Sequence, residues 1–221
     1  MFSLLRSRLL CAADAAFGTE AIKEISTEAF VGRVGTATNP RMVAPVITSN
    51  VLNGDRTISF TCISRVAAAR AVHAAAIANT KNIKEIAAFV KPEIIAGIKA
   101  DKGELGRGLT PFRITIFPSK RPVVSDERAR FVRRTRVSSN VDHEELARNI
   151  HGSYLRKTPL VLECMGDKAM GIITQAIALF NERVQAHDLV AFVHVVTGKS
   201  KEGTELVKME FQLLEQEKSS H

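Results

Sequence analysis

ECMGDKAMGIITQAIALF, residues Glu163–Phe180, joins two apolar runs of different period. The first, Pro159 to Met165, is too short for a helix and reads as a buried strand. The second carries Ala169, Met170, Ile172, Ile173, Ala176, Ile177, Leu179 and Phe180 at the i, i+3, i+4, i+7 spacing of a helix packed on a sheet. Gly166 permits the tight strand-to-helix turn, and Asp167 suits the N-cap. Unpaired N–H groups at such a helix start, with Lys168 beside them, attract anions. The same residues are open to a plainer reading, core packing around a necessary glycine turn.

The plan extends outward in both directions. Upstream, Phe131–Ser138 reads as a strand and Asp142–Arg156 as a helix with Leu146, Ile150 and Leu155 near one face. Downstream come strands at Leu189–Val196 and Glu205–Leu214. In the first half, Ala29–Val34 suggests a short strand. Met42–Leu52 and Arg56–Ile63 flank Asn53-Gly54-Asp55 and predict a hairpin. Val66–Thr80 is alanine-rich and helical, and Ile83–Val90 is apolar and strand-like. Lys91-Pro92-Glu93 predicts a new helix with proline in its first turn, ending in GELGRG (Gly103, Gly106, Gly108), before a strand at Phe112–Phe117. A gapless shift of 75 residues sets Met165 on Val90, Ser139 on Ser64 and Ile150 on Ala75. The expected fold is α/β, two tandem two-layer sandwiches of strand-helix-strand-helix-strand-strand type. The boundaries are an N-terminal extension with the hairpin at 18–55, a degenerate first sandwich at 56–125 and a second at 126–217. One continuous α/β domain is the other reading of the same pattern.

Charge points to a polyanionic partner. The 221 residues carry 31 Lys and Arg against 23 Asp and Glu, a formal net charge of +8, and nucleic acid is the simplest partner for that excess. No apolar run approaches the roughly 18 residues of a membrane span. Cys11, Cys62 and Cys164 lack metal spacing and read as reduced thiols of an intracellular protein. The opening residues, MFSLLRSRLLCAADAAF, hold Arg6 and Arg8, no acid before Asp14, and Phe2, Leu5 and Leu9 on one helical face. That is the pattern of a mitochondrial transit peptide over residues 1–17, so the expected address is mitochondrial. An ordinary basic terminal helix would look the same.

The cations concentrate between the halves. Lys120–Arg136 contains Lys120, Arg121, Arg128, Arg130, Arg133, Arg134 and Arg136 against Asp126 and Glu127. Arg128, Arg130, Arg134 and Arg136 share parity, so on a strand they project from one face. Guanidinium forks match phosphate bidentately and suit a grip on a nucleic-acid backbone; a solvated basic strand and linker is the plainer reading. The chain has no Trp and one Tyr, Tyr154. Stacking platforms for single-strand reading are therefore poor, and backbone or shape recognition of structured RNA or duplex DNA fits better.

The block VSSNVDHEELARNIHGSYLRKTPLVLECMGDKAMGIITQAIALF resembles the Alba superfamily, and more closely stage V sporulation protein S, through its Gly-x-x-Ala turn into an Ala-rich helix at Gly166, Ala169, Ala176 and Ala178. The likeness in element order runs from Phe131 to Glu215, and reaches the first half only through the internal repeat. It departs from the family at Asp167-Lys168, where small residues are usual. The resemblance implies a small self-pairing nucleic-acid-binding domain. Its anion surface would be the loop after the first strand and the start of the second helix, here Ser138, Ser139, Asn140, Gly166 and Lys168.

The sequence offers no nucleophile–base pair and no phosphate loop: GELGRG lacks the following Lys-Ser/Thr. His73 and His194 lie among apolar residues, and Asp142-His143-Glu144-Glu145 reads as a helix start. The expectation is a non-catalytic protein without cofactor or metal that binds RNA, ribosomal RNA in particular, beside neighbouring proteins of a mitochondrial ribonucleoprotein. A ribosomal subunit or its assembly intermediate is the concrete setting. An Alba-like DNA-binding nucleoid protein and a protein–protein adaptor are the alternatives.

Overall fold

A computed structural model describes residues 30–82, 84–95, 111–122, 132–184, 186–199 and 205–217. The transit-peptide segment, the GELGRG loop, Arg128 and Arg130 lie outside the described residues. The first half contains β1 (Phe30–Val34), α1 (Pro40–Ile47), β2 (Ile58–Cys62), α2 (Arg65–Lys81), β3 (Ile86–Ile94) and β4 (Phe112–Lys120). The second contains β5 (Arg133–Val137), α3 (His143–Leu155), β6 (Leu160–Cys164), α4 (Gly166–Arg183), β7 (His187–Lys199) and β8 (Glu205–Glu217).

The eight strands form one mixed sheet in the order β1-β2-β4-β3-β7-β8-β6-β5. β1 is parallel to β2, and β4 runs antiparallel to β2 and β3. β5 is parallel to β6, and β8 runs antiparallel to β6 and β7. The halves meet at an antiparallel seam, Phe89 beside Phe192 and Val90 beside Ala191. Element order is repeated and strand order mirrored about that seam, so an approximate twofold axis relates the halves. Cys62 thus corresponds to Cys164 and Asn79 to Asn181, a shift of 102 residues. This replaces the 75-residue shift suggested by the sequence, which had matched the helices out of step. Helical period alone does not tell α2 from α1 as the partner of α3; strand pairing does.

The four helices of the described residues share one face. Alternate strand residues such as Ile58, Phe60, Ile114, Ile116, Leu162 and Phe211 enter a single core with Ala44, Ile47, Val72, Ile150, Ile173 and Phe180 from the helices. Ser64 caps α2 by accepting from the Ala67 N–H at 3.2 Å. The small residues of α2 let α4 lie close against it. A Cβ on Gly171 would meet the Arg65 backbone oxygen at 2.9 Å, so glycine is needed at that crossing. A second, smaller cluster of Ala87, Phe89, Phe117, Val190 and Phe192 lies across the seam on the opposite face, which is helix-free among the described residues. On the helix side, Asn79 and Asn181 lock the seam. Asn79 exchanges bonds with Ala88 N–H and C=O, both at 2.8 Å, and donates to the Val193 carbonyl of the other half at 2.9 Å. Asn181 does the mirrored job with Leu189 and the Pro92 carbonyl.

Two expectations are corrected. The hairpin is absent: α1 occupies Pro40–Ile47, continued by a π-helical turn over Thr48–Leu52, and β2 pairs with β1 and β4. Asn39 caps this helix through the Arg41 N–H with proline at N1, and Pro40, Ala44, Ile47 and Val51 bury one stripe. Gly54 answers a close approach, since a Cβ there would lie 2.7 Å from the Asn50 carbonyl. Second, Lys91-Pro92-Glu93 continues β3. Proline is tolerated because the ladder to β7 includes only Phe89 and Val90, so the missing N–H breaks no seam bond. Among the described residues, no helix is long and apolar enough to cross a membrane.

Candidate nucleic-acid interface

β5 is an outer edge of the sheet. Val137 enters the core, so Arg133 and Thr135 share its helix-side parity while Arg134 and Arg136 point to the helix-free face. Arg133 and Arg136 are exposed. After Val137 the chain turns through Ser138, Ser139 and Asn140, all exposed, with the Asn140 N–H donating to Ser138 Oγ at 3.4 Å. Asp142 then caps α3 by accepting from the Glu145 N–H at 2.9 Å. That backbone bond holds the Asp142 carboxyl below the usual range.

β6 lies parallel beside β5 with Cys164 against Val137, so the β6–α4 turn leaves the same end of the sheet as the Ser138–Asn140 loop. Gly166 and Lys168 are exposed there, and Gly166 has φ +78°. The structure therefore brings Arg136, Ser138, Ser139, Asn140, Gly166 and Lys168 to one end of two neighbouring strands, while Arg133, opposite Leu160, starts β5 at the other end. Asp167 does not cap α4, whose N-cap is Met165 without a side-chain bond. Its carboxylate pairs instead with Arg70 at 2.9 Å and lies 3.6 Å from His73. Burial lowers the His73 pKa, and Asp167 only partly opposes it.

Arg134 is engaged differently from its neighbours. Its guanidinium meets Glu163 at 3.0 Å and Glu210 at 3.1 Å, while Lys208 meets the same carboxylates at 3.1 and 3.0 Å. Burial opposes ionisation of Glu163, but hydrogen bonds from Arg134 and Lys208 outweigh it and hold the carboxyl below its ordinary range. The network balances two acids with two bases and ties β5, β6 and β8 together. Arg134 serves the sheet more than a ligand. Arg121 is also structural. It donates to the backbone carbonyls of Asn79, Asn82 and Lys84 at the end of α2, and its guanidinium lies 5.3 Å from the Phe192 ring centre. Lys120 is exposed at the end of β4, on the far side of the seam from the β5 edge.

Sequence reading missed cations in the first half. Arg33 corresponds to Arg136 one residue before a buried valine, and Arg113 lies on β4; both are exposed. The β1 and β5 repeat would have flagged Arg33, had the shift between the halves been known. Burial pushes the Cys62 and Cys164 thiols up to about 12. Among the described residues, no group of three or more His, Cys, Asp or Glu side chains is placed to hold a metal. Neither a protein-family model nor a curated protein matches the chain.

Proposed function

We propose that this chain is a non-catalytic RNA-binding structural protein of a mitochondrial ribonucleoprotein, with a mitochondrial ribosomal subunit or its assembly intermediate as the setting. The observation that carries the reading is the β5 edge. There Arg136, the Ser138–Asn140 loop and the Gly166–Lys168 turn meet at one end of adjacent parallel strands, and exposed Arg133 starts the same edge strand. Arginine forks, hydroxyls, an amide and helix-start N–H groups suit phosphate and sugar contacts, which fix position without reading sequence. The formal charge of +8 supports the same partner. The repeated strand-helix-strand-helix-strand-strand order supports two Alba-like units paired within one chain. The mitochondrial address rests on the Arg-rich, acid-poor residues 1–17.

The test is purification of the tagged full chain from mitochondria at moderate salt, followed by sizing and sequencing of bound nucleic acid. Recovery in a large particle rich in ribosomal RNA is the expected result. Recovery as a small RNA-free species overturns the reading, and recovery on DNA replaces it with the nucleoid alternative.

A further inference from the structure

We propose that the helix-free face of β1, β2 and β4 is a second backbone-binding surface, in which Arg33, Ser59, Thr61, Arg113 and Thr115 contact the ribose-phosphate backbone of duplex RNA. The proposal rests on the RNA-binding reading and locates a contact surface that the β5 edge does not include. Strand pairing makes the patch contiguous. Arg33 lies beside Thr61 and Thr61 beside Arg113, while Ser59 lies beside Thr115. Ile58, Phe60 and Cys62 on β2, and Phe112, Ile114 and Ile116 on β4, are buried under the helices. The residues between them therefore project from the opposite face. Two strand spacings place the Arg33 and Arg113 backbones about 10 Å apart.

The charge of this patch differs from that of its twofold mate. By the repeated topology, Thr61 stands where the second half has Glu163, and Arg113 where it has Glu210. Those carboxylates neutralise Arg134 and Lys208 in the second half. In the first half, neither Arg33 nor Arg113 joins an ion pair among the described residues. The one acid facing Arg113 across the ladder is Glu93, which lies 3.4 Å from Lys91. Two exposed guanidinium groups thus remain available to phosphate.

The polar remainder favours RNA over protein. Ser59 Oγ and Thr115 Oγ1 lie 3.3 Å apart. One bond between them uses one hydroxyl hydrogen and leaves the other for a phosphate or 2′-hydroxyl oxygen. Among the described side chains, none of the exposed large apolar ones lies in β1, β2 or β4, which offers an acidic amphipathic helix little to anchor on. The patch offers no exposed aromatic ring for base stacking, which leaves the backbone as the contact.

The test uses the full chain with a fluorescent RNA duplex of about 20 base pairs, titrated over a range of salt concentrations. The Arg33→Gln/Arg113→Gln pair should melt with the wild type, bind about tenfold more weakly, and show a salt slope reduced by about 2, one unit per phosphate lost. Unchanged affinity and slope, with wild-type binding intact, overturn this surface and leave the RNA reading standing. No RNA binding by the wild type overturns the RNA reading and this proposal together. Polyglutamate bound as tightly as RNA overturns the choice of ligand. Should the double variant melt early, Arg33→Lys/Arg113→Lys replaces it: loss of affinity with the slope retained supports guanidinium–phosphate forks, and no loss overturns them.

Discussion

Replacing Asn79 by alanine tests whether the seam is held by paired polar locks. Asn79 is fully buried. Its side chain accepts from the Ala88 N–H and donates to the carbonyls of Ala88 and Val193, all within 2.9 Å. Alanine would leave one buried donor and two carbonyls short of a partner. Three lost bonds at about 1 kcal/mol each, plus the desolvation cost of the orphaned N–H, give a loss of about 3–5 kcal/mol. A domain of this size gains only about 5–15 kcal/mol on folding, so the midpoint of thermal unfolding should drop by about 10 °C. Asn79→Asp separates packing from bonding. It keeps the shape and the acceptor for Ala88 N–H, but turns an oxygen toward two carbonyls and should cost at least as much. Asn181→Ala, at the mirrored position, should cost about the same. Urea unfolding followed by circular dichroism reads all three. A loss under about 1 kcal/mol for Asn79→Ala would refute the reasoning, because it would mean that water or backbone shifts satisfy those groups.

Other changes separate structural from ligand-binding roles. Arg121→Ala removes the cap on the last α2 carbonyls. It should cost about 1–3 kcal/mol in unfolding experiments, with the salt slope of RNA binding unchanged. Gly166→Ala has steric room, since nothing lies within 4 Å, but φ is +78°; denaturant curves should show a loss of about 1–2 kcal/mol from backbone strain alone. Glu163 is held below its ordinary carboxyl pKa of 4.5 despite its burial, so its contribution is complete above that value and is lost as pH falls through the lowered folded one. Arg134→Gln should shrink this acid limb, measured as the pH dependence of unfolding free energy. Burial also lowers the His194 pKa from 6.5, with Glu210 opposing. Stability should therefore decline as pH falls below 6.5, and His194→Gln should flatten that part of the profile.

Much of the fold was legible because its elements carry strong local periods. The α4 run of Ala169 to Phe180, the alanine series of α2 and the short β6 run announce themselves by spacing. The failures were at the Asn53-Gly54 hairpin and at Pro92. Met42–Leu52 and the Asn53-Gly54 pair read as a strand and its hairpin turn, yet the stripe of Pro40, Ala44, Ile47 and Val51 buries that segment as helix. Pro92 read as a helix start, yet the seam ladder stops before it. At the β5 edge the types of residue were legible and their pairing was not. Arg133, Arg134 and Arg136 look alike in sequence, but Glu163 and Glu210 reach only Arg134.

By itself the sequence determined the class and the period: an α/β chain with twice-repeated elements, a basic excess and an arginine-rich strand. These depend on side-chain type and on neighbours within a turn or two. Only the tertiary structure decided that the halves join in one eight-stranded sheet, that Cys62 mates with Cys164, and which arginines are left unpaired. Those facts depend on contacts between residues about 30 to 110 positions apart, such as Arg134 with Glu163 and Asn79 with Val193. Closing such contacts is a property of the whole sheet, because each pair forms only after the others have fixed the strand register.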